Sequence, residues 1–194
     1  MMNAQAQAVF DFWFLPSPGQ DAAAPRREWF QKDEAFDREI ARRFGAQIDE
    51  ALAGGLHAWD AEGAQGTLAR ILVLDQFCRN VHRGTPLAFA GDHQALRAAL
   101  DMVDAEQDLE LPPLQRAFVY LPFEHAEDMA MQERAVALFA RMEDSNGIAG
   151  MLDYARRHRE VIGRFGRFPH RNAVLGRAST PEETEFLKQP GSGF

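Results

Sequence analysis

Gly66-Thr67-Leu68-Ala69-Arg70-Ile71-Leu72-Val73-Leu74-Asp75-Gln76-Phe77-Cys78-Arg79-Asn80 is the stretch that decides the fold. Leu68, Ile71, Leu72, Val73, Leu74 and Phe77 leave the segment apolar nearly all round. A helix of that kind, over roughly residues 64–81, is covered on most of its circumference. The rest of the chain must therefore supply the cover.

The flanking segments read as amphipathic helices. Upstream, residues 4–14 form a short helix that buries Phe10, Trp13 and Phe14 and ends before Pro16, and a Pro, Gly and Ala loop follows through Pro25. Asp33 is placed to cap a second helix whose stripe is Phe36, Ile40, Phe44, Ile48 and Leu52, stopped at Gly54-Gly55. Downstream of Gly84-Thr85-Pro86 comes a helix near 92–105 with Leu96, Ala99, Leu100 and Val103. Pro112-Pro113 opens another through Phe118 and Leu121, which Pro122 is expected to kink or break. Residues 127–143, closed by Asn146-Gly147, and residues 149–163 give two more. After an irregular stretch from Arg164 to Arg177, Thr180-Pro181-Glu182-Glu183 starts a last short helix by capping logic. No segment alternates with period two between hairpin turns. The reading is all-α, with seven to eight helices stacked as antiparallel pairs in one domain over residues 1–194. No 34-residue repeat is legible.

Composition narrows the partners. Hydrophobic residues make up 46% and charged residues 26%, with 15 Phe and 3 Trp to hide, so the chain is globular. The 21 basic and 29 acidic side chains leave a net charge of −8, a surface that repels nucleic acid and anionic lipid. Cys78 is the one cysteine, which suits a reducing compartment. The apolar run from Val9 to Leu15 is interrupted by Asp11 and lacks the flanks of a signal peptide, so a cytoplasmic location is expected. No glycine-rich phosphate loop, nucleophile elbow or dinucleotide fingerprint occurs, and no cofactor or resident metal is expected.

Polar residues stand in apolar places at three points. The buried helix carries Asp75, Gln76, Arg79, Asn80 and Arg83, a spacing that gathers them on one side. Left unpaired there, they would be expensive to bury. Pro122-Phe123-Glu124-His125-Ala126-Glu127-Asp128 puts an imidazole on the side shared by Phe118 and Leu121, with three carboxylates near it and Asp128 one turn beyond. His158 lies in the middle of the stripe formed by Met151, Tyr154, Ala155, Val161, Ile162 and Phe165. The third point, Arg164-Phe165-Gly166-Arg167-Phe168-Pro169-His170-Arg171-Asn172, follows Arg156, Arg157 and Arg159 and reverses the sign of an acidic protein. Gly166 permits positive φ and Pro169 holds Phe168 extended, so the loop has a defined shape. The bland reading of all three is a core histidine or two and a structural network in which the arginines neutralise Asp75, Glu124, Glu127 and Asp128.

Leu74-Asp75-Gln76-Phe77-Cys78-Arg79-Asn80, the 122–128 and 164–172 strings, Phe12-Trp13-Phe14, Trp29-Phe30 and Leu175-Gly176-Arg177 leading to Glu182-Glu183 together resemble the bacterial domain-of-unknown-function 924 family over nearly the whole chain. The resemblance implies a fold, an α–α superhelix similar to tetratricopeptide repeats, and carries over no catalytic or binding residue. Cys78 stands where the family pattern usually has proline.

Three functions follow as expectations. The leading one is a pocket for a small anionic ligand, a carboxylate or phosphate, formed by Asp75, Gln76, Arg79, Glu124, His125, Asp128, His158, Arg167, His170, Arg171 and Asn172. In a catalytic version His125 or His158 is the acid–base group, oriented by Asp75 or Glu124. The rival is a helical-repeat adaptor that grips a peptide or protein in an apolar groove. The third is a metal-dependent hydrolase using Asp75, His125, Asp128 and His158.

Overall fold

The computed structural model describes residues 2–15, 24–143 and 148–193. The expected Asn146-Gly147 stop and most of the loop leading to Pro25 lie outside the described residues. Among these residues every regular element is helical: α1 (Ala4–Phe14), α2 (Glu34–Leu52), α3 (Ala64–Ile71), α4 (Cys78–Val81), α5 (Asp92–Asp104), α6 (Pro113–His125), α7 (Met129–Glu143), α8 (Met151–Phe165) and α9 (Pro181–Phe186), with short 3-10 turns between several of them.

The caps anticipated from sequence are formed. Asp33 accepts the amides of Ala35 and Phe36 at the start of α2, and Thr180 and Glu183 make a reciprocal capping box on α9. Gly166 ends α8 with φ 69°, and Phe168 beyond it is extended.

The apolar rod is continuous over residues 64–81, and every residue from Gly66 to Cys78 is buried. It is not a uniform α-helix. Leu72–Phe77 is π-helical, with the Cys78 amide reaching back to the Val73 carbonyl. π segments arise mostly as short insertions in α-helices and favour functional sites. This one contains Asp75 and Gln76, and it divides the single helix read from sequence into α3 and α4.

The rod packs against α1, α2, α5 and α6, while α6, α7 and α8 pack in succession. Trp13 is the hub at its flank, with its ring 5.7 Å from Phe77, 5.6 Å from Phe118 and 6.0 Å from Trp29. Two glycines set the closest approaches. A Cβ on Gly66 would come within 2.2 Å of the Trp59 carbonyl, and one on Gly91 within 2.2 Å of the Leu74 carbonyl. The second contact lets the start of α5 lie directly on the π segment.

In the 122–128 string Pro122 does not break its helix, and the place expected for Asp128 is corrected. α6 passes through Pro122 and ends three residues later at His125, because the missing N–H removes one bond close to a terminus. Asp128 is not a turn beyond His125 on the same helix. Ala126 is extended, and Asp128 starts the next helix by accepting the Met131 amide.

Candidate functional site

The end of α6 reaches the centre with its carbonyls already satisfied from α7. Gln132, fully buried, donates its amide to the carbonyls of Glu124 at 2.6 Å and Ala126 at 2.7 Å. That holds Glu124 and His125 against the π segment of the rod.

There the Nδ1 of His125 meets Asp75 Oδ1 at 2.8 Å. Asp75 is 1% exposed, receives Gln76 Nε2 at 2.6 Å and Arg79 Nη1 at 2.8 Å, and so is a fully paired buried carboxylate. Burial opposes its charge, but Arg79 and His125 outweigh burial and hold its pKa well below the carboxylate range. Burial first, then the Arg79 guanidinium, lowers His125 against the pull of Asp75. In its neutral form the imidazole can meet the Asp75 carboxylate only by donating Nδ1–H to it. No hydrogen bond to its Nε2 is found among the described residues, and 16% of the side chain is exposed.

A second acid–imidazole pair lies beside the first. His158 on α8 directs Nδ1 at the Tyr154 carbonyl, 2.9 Å away, with Glu124 Oε1 at 3.2 Å. Its ring centre is 6.4 Å from that of His125. Burial, with the Asp75 charge adding to it, raises Glu124 to about 8. Burial drives His158 down to about 3. Glu124 Oε2 is buried with no hydrogen-bond partner among the described residues. Neighbouring groups with pKa values driven in opposite directions are the arrangement that separates acid from base roles.

The cations come from two elements. Arg79 Nη2 bonds Asp92 Oδ2 at 3.0 Å, and Arg171 Nη1 reaches the same oxygen at 3.2 Å. Arg171 Nη2 also bonds the His125 carbonyl at 3.0 Å. Its guanidinium lies between the rings of Phe89 and Phe168, 4.6 and 4.5 Å from their centres. Burial lowers Arg171 to about 10, so it stays charged at neutral pH. His170, pushed by burial to about 4, lies against Phe168 at 5.6 Å.

Of the residues read from sequence, Asp75, Gln76, Arg79, Glu124, His125, His158, His170 and Arg171 converge here. Arg167 and Asn172 do not belong to this centre; both hold Glu183 of α9, at 2.6 and 3.2 Å. Asp128 is the cap of α7, and Asn80 and Arg83 both bond Asp37 on α2. Asp92 and Gln132 escaped the sequence reading. The first looks like an ordinary acid at a helix start, and the second like any glutamine on an amphipathic helix. Arg177, which clamps Glu127 at 2.6 Å and the Phe168 carbonyl at 3.1 Å, escaped it for the same reason.

Among the described residues no three His, Cys, Asp or Glu side chains are grouped to hold a metal ion, and no helix is long and apolar enough to cross a membrane. Two surface concavities stand apart from the polar centre. One, of about 520 Å³, is lined by Ala4, Gln5, Ala8 and Arg42 among others, and one of about 130 Å³ by Arg27, Glu28 and Gln31 among others.

Fold and site define an all-helical protein whose buried rod carries a polar, histidine-bearing centre. The chain belongs to the family described as bacterial protein of unknown function (DUF924), whose model matches residues 9–191. It is similar to the solved structure of a protein of unknown function from Agrobacterium tumefaciens, with 39% identity, a TM-score of 0.83, and coverage of 95% of this chain and 97% of that one. No curated protein matches the chain. The expected family is thus shown, and with it the all-helical fold.

Proposed function

We propose that this protein binds a small anion, a carboxylate or phosphate, at the polar centre, and that His125 serves it as an acid–base group. One observation carries the reading. Asp75 fixes His125 Nδ1 at 2.8 Å, while Nε2 has no hydrogen-bond partner among the described residues and the ring is partly exposed. That is how a carboxylate orients an imidazole for proton transfer at its other nitrogen. Arg79 and Arg171 supply guanidinium forks for the anion. Glu124, kept protonated by burial, is the accompanying proton donor.

Titration calorimetry of inorganic phosphate and of acetate into the intact protein, in two buffers of different ionisation enthalpy, tests this. Binding accompanied by proton uptake is expected, because an anion beside His125 raises its affinity for a proton. Arg171→Ala should abolish binding, and His125→Gln should retain binding without the proton uptake. A wild-type protein that binds neither anion contradicts the proposal.

A further inference from the structure

The polar centre is packed, so an anion must exchange with something already there. Asp92 is a carboxylate shared by both guanidiniums, and its chain neighbour Phe89 shares them too. The Phe89 ring centre is 5.8 Å from the guanidinium carbon of Arg79 and 4.6 Å from that of Arg171. The Asp92 carboxylate lies 2.9 Å from Arg79 Nη1 and 3.2 Å from Arg171 Nη1. Ring and carboxylate come from one short segment, the Pro86–Phe89 turn running into the first residue of α5.

We propose that Phe89 and Asp92 together occupy the ligand's place, and that the ligand is an aromatic carboxylate whose ring and carboxylate replace theirs on Arg79 and Arg171. The inference rests on the anion reading above and adds the ligand class to it.

The fit of the internal occupant is incomplete, which is what an exchangeable one requires. Arg171 Nε has no hydrogen-bond partner among the described residues although the side chain is only 7% exposed. Asp92 Oδ1 approaches Arg79 but makes no aligned hydrogen bond among the described residues. An unmade bond on a buried charged group is a standing penalty that a better-placed carboxylate removes. A carboxylate not tethered to α5 can take Nε and one Nη of Arg171 side by side, the bidentate geometry Arg favours. A ring attached to it restores the cation–π contact that Phe89 gives up. In this exchange the side chains of Phe89 and Asp92 turn away from the two guanidiniums. The backbone under Asp92 is anchored where Gly91 meets the Leu74 carbonyl, and Leu87 on the preceding turn is half exposed.

Phenylacetate, acetate and phosphate titrated into the wild type, Asp92→Asn and Phe89→Leu test the proposal, with circular dichroism checking that each variant is folded. Phenylacetate is expected to bind Asp92→Asn at least tenfold more tightly than the wild type, because the internal competitor is weakened. It should also bind at least tenfold more tightly than acetate in either variant. If Asp92→Asn is unfolded, Phe89→Leu decides alone, with phenylacetate binding expected to be at least threefold tighter than in the wild type. Unchanged affinity in the folded variants, or acetate equal to phenylacetate, overturns this inference and leaves the anion reading standing. Absence of anion binding to all three proteins overturns both.

Discussion

Glu124 keeps its proton at neutral pH, because 3% exposure and the Asp75 charge both work against a carboxylate there. Its pKa is raised from 4.5 to about 8, so the folded state binds the proton more tightly than the unfolded chain does. Stability from this group is complete below 4.5 and is lost as pH rises through about 8. Glu124→Gln should remove that decline, leaving a variant at least as stable as the wild type at the alkaline end in thermal unfolding across this range. His158 works on the other side. Its pKa is lowered from 6.5 to about 3, so the stability it contributes is lost as pH falls from 6.5 towards 3. His158→Gln should flatten the acid limb of the same profile over that interval. A steep acid limb that persists unchanged in this variant would show that the ring is not held neutral.

At the scale of elements, single residues fix the end of α6 and the start of α5. Gln132 supplies donors to two carbonyls at the end of α6, so Gln132→Met should cost about 1–3 kcal/mol in denaturant unfolding, the penalty for stranded buried acceptors. Gly91→Ala places a Cβ 2.2 Å from the Leu74 carbonyl, and overpacking of that kind costs about 1–3 kcal/mol. The variant should also show weakened Asp92 contacts, seen as altered anion affinity. Helix positions were legible in the sequence because their signals are local: Asp33, Thr180 with Glu183, Gly166 and the apolar stripes each act within a turn or two. The π segment was not legible, since its residues have the same apolar character as the α-helical turn before it. Asp128 was misplaced for a related reason. Helical spacing was carried past Ala126, where the chain is extended.

Across the whole molecule, one aromatic hub and one polar centre lie against the same rod. Trp13, fully buried among Trp29, Phe36, Phe77 and Phe118, should cost about 3–5 kcal/mol when replaced by Ala, with loss of cooperative unfolding as the sign that the rod is uncovered. Eight of the eleven site residues read from sequence meet at the centre, because charged groups in apolar stretches must find one another to be buried. Arg167 and Asn172 went instead to Glu183, a nearer buried carboxylate whose position depends on how α9 folds back, which nothing in the 164–172 string records. The proposed chemistry requires His125 to be a neutral imidazole, tied to Asp75 through Nδ1 and with Nε2 unbonded among the described residues. Nitrogen-resolved NMR titration of the histidines in the intact protein measures this directly. The predicted result is a His125 ring in the Nδ1–H form that titrates below the ordinary imidazole value of 6.5 and shifts when acetate is added. A ring that titrates at 6.5, in the Nε2–H form and indifferent to acetate, would contradict it.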